Sequence, residues 1–493
     1  MEKLSANHNT PPGFRLLPGE KILTVTKHQP RVFRQTPSSI DQILRLTKAE
    51  HPNDIGKHGP SLAAIALEAS HLDDPRETPD HLRLYEAVFG RDSLRVAIDL
   101  ISSYPELART TTLTLAKLQG LEDNLEREEE MGRIVHEVRD KDDPVAQKLT
   151  AERGWAWPYY GSVDATPEFI RTLTAYCQRS EENAAFLAEE YTDMHGKTRT
   201  MNQALEMALA WIERRLNSNP EGLLEFHSPL PNGIENQVWK DSWDAYHHSD
   251  GKIANHNRPI ASIEVQVTTF DALIDAAELF EDVLDQPERA KELRHCADRL
   301  RQVIFDQFWT EDKGGYFVIG ADRDEDGSLR QLKIRTSNMG HTINSRLLKG
   351  DDPEVVRMRE STIKHLFTEE MQNSSGIRTL ASDEVRFRPG AYHNGSVWLW
   401  DTHYIAKGLR RLGYKDKANL LDDKLLNVIK STKIFPEYVR GDDGPSPSIN
   451  EFTIEVWDEE NQRINKVEQP PQEVQAWSVA VIRAIEYRRG RKK

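Results

Sequence analysis

The sequence is poor in the features that mark a secreted, membrane-bound or polyanion-binding protein. Only two cysteines, Cys177 and Cys296, stand among its 493 residues, too few for a disulfide framework and without the Cys-x-x-Cys spacing of a zinc site. Both fall in helix-periodic stretches, where a small buried hydrophobe is the expected role. No apolar run is long enough to span a bilayer, and the start, Met1-Glu-Lys-Leu-Ser-Ala-Asn-His8, lacks the basic-then-apolar order of a secretory signal. The expectation is a cytoplasmic protein with no membrane partner. Positive charge is also short: 65 Lys and Arg against 80 Asp and Glu leave a formal charge of −15. That argues against nucleic acid or anionic lipid as a partner held by a general field, and leaves a neutral or cationic ligand easier to accommodate.

Aromatics and carboxylates are instead concentrated in loops. The densest segment is Asn236-Gln-Val-Trp-Lys-Asp-Ser-Trp-Asp-Ala-Tyr-His-His-Ser-Asp-Gly251, too polar for a core and too aromatic for an ordinary solvated turn. Carboxylate beside indole suits a sugar site, because sugar rings stack their C–H faces on aromatics while an acid attacks the glycosidic oxygen.

Similar segments recur, each opening a helix-periodic stretch that a second helix follows. Phe89-Gly-Arg-Asp-Ser93 opens a helix over 94–101 with a partner at 105–119, and Trp155-Ala-Trp-Pro-Tyr-Tyr-Gly-Ser-Val-Asp164 opens one reaching Cys177 with a partner at 201–216. The central segment feeds helices at 259–280 and 288–308. Thr336-Ser-Asn-Met-Gly-His341 feeds 342–348 and 353–367. Tyr392-His-Asn-Gly-Ser-Val-Trp-Leu-Trp-Asp401 opens a helix to 412, with a partner at 415–429. Phe435-Pro-Glu-Tyr438 and Pro470-Pro-Gln-Glu-Val-Gln-Ala-Trp-Ser478 introduce the last helix, and 39–48 offers a twelfth. Residues 21–27 are strand-like, and 315–320 with 329–334 read as a β-hairpin. The hairpin turn at 322–327 imitates half of a calcium loop, but Lys333 occupies the place of the bidentate glutamate. The run Glu126-Arg-Glu-Glu-Glu130 reads as a solvated connection.

Six loop-bearing helices alternating with plain ones predict an all-α fold, an (α/α)6 toroid with a small β-hairpin insertion. Residues 1–80 form a short irregular lead-in packed on a catalytic domain of 81–493. All six loops then gather at one mouth, where helix N-termini offer backbone N–H groups to ligand oxygens.

Hydrolysis of a glycosidic bond needs an acid on the leaving oxygen and a second carboxylate across the sugar ring. The candidates are Asp92, Glu137, Asp164, Asp241, Asp244, Glu264 and Glu437. Asp241 lies between Trp239 and Trp243, where burial against indole would keep it protonated, as an acid catalyst requires. Glu437 follows Pro436 in a stiff turn and is the candidate base, and a separation of roughly 6.5–9.5 Å would hold a water and invert the anomeric centre. Asp92 is either a sugar ligand or a helix N-cap. His136, His341 and His393 are partners for sugar hydroxyls or satisfied structural groups. Trp398 and Trp477 read as subsite walls, Trp157 and Trp400 as wall or core. No metal or cofactor is expected.

Taken together, Phe-Gly-Arg-Asp-Ser from Phe89, Gly-Arg-Ile-Val-His-Glu-Val-Arg from Gly132, Tyr-Tyr-Gly-Ser-Val-Asp-Ala-Thr-Pro from Tyr159, Asn-Gln-Val-Trp-Lys-Asp-Ser-Trp-Asp from Asn236, Ile-Glu-Val-Gln from Ile263 and Tyr-His-Asn-Gly-Ser-Val-Trp from Tyr392 resemble the bacterial amylo-α-1,6-glucosidase, or glycogen-debranching-like, family. The resemblance runs from Tyr85 to the end of the chain. It implies a six-hairpin glycosidase toroid, inverting hydrolysis of an α-glycoside, Asp241 as general acid and Glu437 as general base. Arg91, Asp92, Tyr160, Asp164, Trp239, Trp243, Glu264, Gln266, His393, Trp398, Gln475 and Trp477 are the expected sugar contacts. Related toroids include hydrolases of mannosylglycerate or glucosylglycerate. A short lead-in stands where longer members carry a β-rich domain, so a terminal bond of a small α-glucoside or short oligosaccharide is at least as plausible a target as a glycogen-type polymer. The rival readings are a sugar epimerase, which would rely on paired histidines, and a non-catalytic sugar-binding toroid; the oligomeric state is left open.

Overall fold

Helix Met201–Leu216 shows how the outer layer is written in the sequence. Thr200 accepts from the Gln203 backbone N–H (3.2 Å) while Gln203 Oε1 accepts from the Thr200 N–H (3.0 Å), a capping box that fixes the start. Its buried side chains, Met201, Ala204, Leu205, Ala208, Leu209, Ile212 and Leu216 among them, recur every three or four residues and form one stripe. Pro287–Phe308 follows the same rule, with Ala290, Leu293, Ala297, Leu300, Ile304 and Phe308 inward and charge elsewhere. By contrast Ile263–Asp282 is buried at every position from Ile263 to Leu273. A helix enclosed on all sides belongs to an inner layer.

The computed structural model describes residues 38–57, 59, 60, 64, 65, 85, 87–442, 453–458, 463–468 and 471–490. The strand-like stretch at 21–27 lies outside them. Six inner helices, Gly90–Leu100, Ala165–Cys177, Ile263–Asp282, Met339–Ile343, Leu399–Arg411 and Ala476–Gly490, each pack on the next, and the last packs on the first. Outside them lie Pro105–Lys117, Met201–Leu216, Pro287–Phe308, Pro353–Leu366, Lys415–Thr432 and, against the final inner helix, Ser39–Thr47. This is the six-hairpin (α/α)6 toroid. Ser39 Oγ donates to Glu486 Oε2 (2.6 Å) and ties the first outer helix to the last inner one.

Short extended segments precede most inner helices and bind them to neighbouring loops. Val88–Phe89 pairs with Glu137–Val138, Val397–Trp398 with Tyr438–Val439, and Val474–Gln475 with Ala64–Ile65, while Phe435 bridges Val474 in parallel. Before Ile263–Asp282 stands a four-stranded antiparallel sheet in the order Leu329–Gln331, Gly320–Arg323, Ile260–Ser262, Glu225–Phe226. These pairings fix loops at the mouth that would otherwise be free to move.

Two local expectations need correction. The hairpin forms between Gly320–Arg323 and Leu329–Gln331, not from 315–320, because Tyr316–Phe317 pairs instead with Trp309–Thr310. Asp322, at the start of the calcium-like turn, is occupied by Arg330 (2.9 Å), His248 (3.1 Å) and the Asn255 N–H (2.9 Å). The helix expected at 342–348 splits into Met339–Ile343 and a 3-10 turn, Arg346–Leu348, because Ser345 Oγ caps the Leu347 N–H (3.0 Å) and restarts the chain. Among the described residues no helix is long and apolar enough to cross a membrane.

Candidate active site

The segment holding Asp241 is pinned from both sides. Gln237 accepts from Arg133 Nη2 (2.7 Å), and its carbonyl accepts from the Val163 N–H (2.9 Å). Asn236 Nδ2 donates to the Ser242 carbonyl (2.7 Å), and Lys240 Nζ, fully buried, donates to the Thr379 carbonyl (2.7 Å). Asp241 is thereby held at an opening, with 36% of its side-chain surface accessible and protein around the rest. Arg91 Nη2 lies 3.7 Å from it, and the same guanidinium pairs with Asp164 (3.2 Å) and approaches Asp92 (3.9 Å). Burial pushes Asp241 up to about 7; Arg91 opposes the shift, and the nearby Asp92 and Asp164 add to it.

Glu437 arrives from the other end of the chain. Its backbone N–H donates to the Gln472 carbonyl (2.9 Å), and Phe435 and Gln475 exchange similar bonds with the same pair of segments. Tyr392 Oη donates to Glu437 Oε1 (2.8 Å), and the Gln472 N–H donates to Oε2 (3.1 Å). Burial again pushes this carboxyl up to about 7, the two donors lower it, and the negative charges of Asp241 and Asp92 raise it. The phenols of Tyr85 and Tyr392 are each raised, first by burial and then by both Glu437 and Asp241. The two carboxyls and the two phenols therefore lie within electrostatic range of one another. Because both oxygens of Glu437 already accept hydrogen bonds, a proton shared between the pair sits better on Asp241.

Of the other expected residues, Arg91, Asp92 and Asp164 belong to this charged group. Asp92 is not an N-cap: Phe89 holds that position, and Asp92 lies in the first turn of its helix, where burial pushes it up to about 6. Trp243 is half-buried beneath the Arg386 guanidinium, 5.7 Å from its ring centre. Trp239 is buried and meets Trp400 (4.8 Å), His393 (5.4 Å) and Trp398 (5.7 Å) edge-on. Trp398 also stacks on Tyr438 (5.1 Å) and meets Trp477 (5.8 Å). Trp398 and Trp477, expected as subsite walls, are both buried in this aromatic cluster at the centre of the inner helices.

Glu264 is buried too, where it accepts from Asn338 and faces Lys240; burial pushes it up to about 8, and Lys240 down to about 8. His341 bonds Asp401 (2.7 Å). Tyr160 and Gln266 are directed elsewhere. Tyr160 Oη donates to the Leu118 carbonyl (2.9 Å), and the fully buried Gln266 amide bonds both backbone groups of Leu224 (2.9 Å each). Gln475 Oε1 accepts from the Trp477 N–H (3.3 Å). His136 is buried and edge-on to Phe89 and Tyr159, and Glu137 pairs with Arg139. Tyr85, Tyr392 and Tyr438 were not among the expected site residues. The latter two stood inside quoted motifs, but nothing local signals that a phenol at 392 reaches a carboxylate at 437. Among the described residues no three His, Cys, Asp or Glu side chains converge as a metal site would need.

The sequence profile of the mannosylglycerate hydrolase MGH1-like glycoside hydrolase domain matches residues 101–453, more than two-thirds of the chain. The chain belongs to this MGH1-like glycoside hydrolase family. A GH63 mannosylglycerate hydrolase from Thermus thermophilus, solved in complex with Tris and D-glycerate, superposes with a TM-score of 0.57 at 13% identity, covering 92% of this chain and 100% of the other. The form of that hydrolase in complex with glucose gives 0.55 at 14% identity, over 91% and 98%. At such identities the likeness is one of fold. No curated protein matches the sequence significantly. The six-hairpin glycosidase superfamily expected from the loop motifs is the one found, and the matching family within it is the MGH1-like one. As an MGH1-like glycoside hydrolase, the chain has a carbohydrate as its substrate.

Proposed function

We propose that this MGH1-like hydrolase cleaves the terminal α-glycosidic bond of a small glycoside with inversion, Asp241 acting as acid and Glu437 as base. The observation that carries this reading is the pair itself: two carboxyls from loops far apart in sequence, electrostatically coupled, both pushed up to about 7. Asp241 gives its proton to the glycosidic oxygen as the bond from the anomeric carbon breaks. A water attacks that carbon from the opposite face and passes its proton to Glu437, and the proton returns to Asp241 through solvent once products leave. Arg91 orients Asp241 and, with Asp92 and Asp164, sets its proton affinity. Trp243, half-buried and two residues from Asp241, would contribute apolar contact to the aglycone. The catalytic unit under this reading is 81–493.

A small substrate is supported by the ligands of the toroidal neighbours, glucose and D-glycerate. Within small glycosides the family description favours a glycerate aglycone. The deciding experiment is a panel of maltose, isomaltose, glucosylglycerate and mannosylglycerate, with products followed by anomeric proton NMR. The β-anomer of the released sugar is expected first. Release of the α-anomer first means retention and removes Glu437 from the role of base; turnover of branched glycogen in preference to every small substrate overturns the substrate class.

A further inference from the structure

The acid and base loops do not contact each other through any bond between their own carboxyls, yet both are bonded to the same three consecutive residues. Tyr392 Oη donates to Glu437 Oε1 (2.8 Å). His393 Nδ1 accepts from the backbone N–H of Ser242 (3.3 Å) and lies 2.9 Å from Ser242 Oγ, next to Asp241 in the chain. Asn394 Nδ2 donates to Asp244, to its carbonyl (3.0 Å) and its carboxylate (2.9 Å). Since Nδ1 of His393 accepts, its proton is on Nε2; burial, with Lys240 and Arg91 nearby, holds the ring well below its usual range and therefore neutral.

The tripeptide is braced from behind. The Tyr392 carbonyl accepts from Trp398 Nε1 (3.0 Å), and the Asn394 carbonyl accepts from the Arg388 N–H (2.8 Å). Gly395 follows at φ +151°, where a Cβ would stand 2.1 Å from the Arg388 carbonyl oxygen, so only glycine lets the backbone close on this support. Resting on the acid and base assignment above, we infer that Tyr392-His393-Asn394 is a strut that fixes the separation of Asp241 and Glu437, its residues acting as positioning residues for the inverting geometry.

Its two ends have separate signatures. The groups facing Glu437 are the Tyr392, Tyr85 and Tyr438 phenols, the Gln472 N–H, and the Asp241 and Asp92 carboxylates. Tyr392 and Gln472 donate to it. In Tyr392→Phe the carboxylate loses a donor, its charged form is less favoured, and its titration moves up by about one pH unit. Carbon NMR of glutamate-labelled protein reads this without substrate, and the acidic limb of kcat/KM moves with it while the basic limb stays. Asn394→Ala loosens the acid side alone. It loses at least about tenfold on an alkyl glycoside, whose departure needs a proton, and recovers on the dinitrophenyl glycoside of the same sugar, whose departure does not. Asn394→Ser serves the same purpose where the alanine variant fails to fold.

An unmoved Glu437 titration in Tyr392→Phe, or an equal loss on both leaving groups in the Asn394 variants, overturns the strut. A wild-type protein that turns over no glycoside instead breaks the proposed function, and the Glu437 titration still decides whether Tyr392 holds that carboxylate.

Discussion

Asp241 stands among charges and Glu437 among phenols. Around the first, one guanidinium is shared by three carboxylates and a third of the side chain is open. Around the second, aromatic rings close the space, and both oxygens are met by neutral donors. Both carboxyls are pushed up to about 7 by burial. They differ in what opposes burial: a cation on the acid side, hydrogen bonds on the base side. A cation is itself tunable by further charges, as Asp92 and Asp164 show, whereas donors fix geometry as well as charge. Under the proposed assignment the Asp241 side is thus suited to holding and releasing a proton, and the Glu437 side to orienting a water.

The sharpest way to break this contrast is to neutralise each carboxyl. Asp241→Asn and Glu437→Gln are each expected to lower kcat by about 10³-fold or more while substrate binding survives, read by steady-state kinetics and calorimetry. Retention of near-normal turnover by both variants would end the assignment. Next in size is Arg91→Met. Removing the cation strands Asp164 as a buried anion beside two other carboxyls, and the expected loss is about 3–5 kcal/mol of folding stability, measured by denaturant titration. A variant as stable as wild type would mean that the acid side does not depend on its guanidinium.

A third test uses pH. Glu437 has a folded value near 7, above the ordinary 4.5 of its side chain, so in the folded state it holds a proton that the unfolded chain gives up. Its contribution to stability is therefore fully present below about 4.5 and is lost as pH rises toward 7. Glu437→Gln removes that loss, and its thermal midpoint at pH 8 is expected a few degrees above wild type, with the difference vanishing at pH 4. A pH-independent difference would assign the effect to packing. The smallest expected effect is that of Asp92→Asn, which takes away an anion that raises Asp241. The basic limb of the kcat/KM profile should fall by less than about one unit and the acidic limb by less still, because Asp92 also raises Glu437, where it is the last of the contributing causes. Equal movement of both limbs would erase the difference between the two sides.

The ring was legible because its helices carry their own period. Thr200 and Gln203 announce the start of Met201–Leu216, and the stripe from Met201 to Leu216 needs no knowledge of its partner. The places where reading failed all depend on a remote partner. Tyr316–Phe317 has the composition of a hairpin strand, but Trp309–Thr310 competes for it and wins. Asp-Ser after Gly-Arg looks like a cap, and only the pairing of Val88–Phe89 with Glu137–Val138 shows that the helix begins earlier. Within the site, the carboxyl-bearing loops could be named because Trp, Asp and Glu are conspicuous there. The partners of the neighbouring polar side chains could not: Gln266 and Tyr160 look like ligands in sequence and spend their polar atoms on backbone groups, while Tyr392 looks like one more aromatic and reaches Glu437.

The closing contact of the ring has a consequence for synthesis. Helix Ser39–Thr47 finds its partner in Ala476–Gly490, and the turn bearing Glu437 is latched to residues 472–475. A ribosome that has made the first five inner helices has made an arc with its two edges exposed, and the base still lacks its backstop. Only when the sixth inner helix emerges can the arc become a circle and Glu437 gain its partner Gln472, so under the proposed assignment a chain stalled a few dozen residues early is expected to show no turnover.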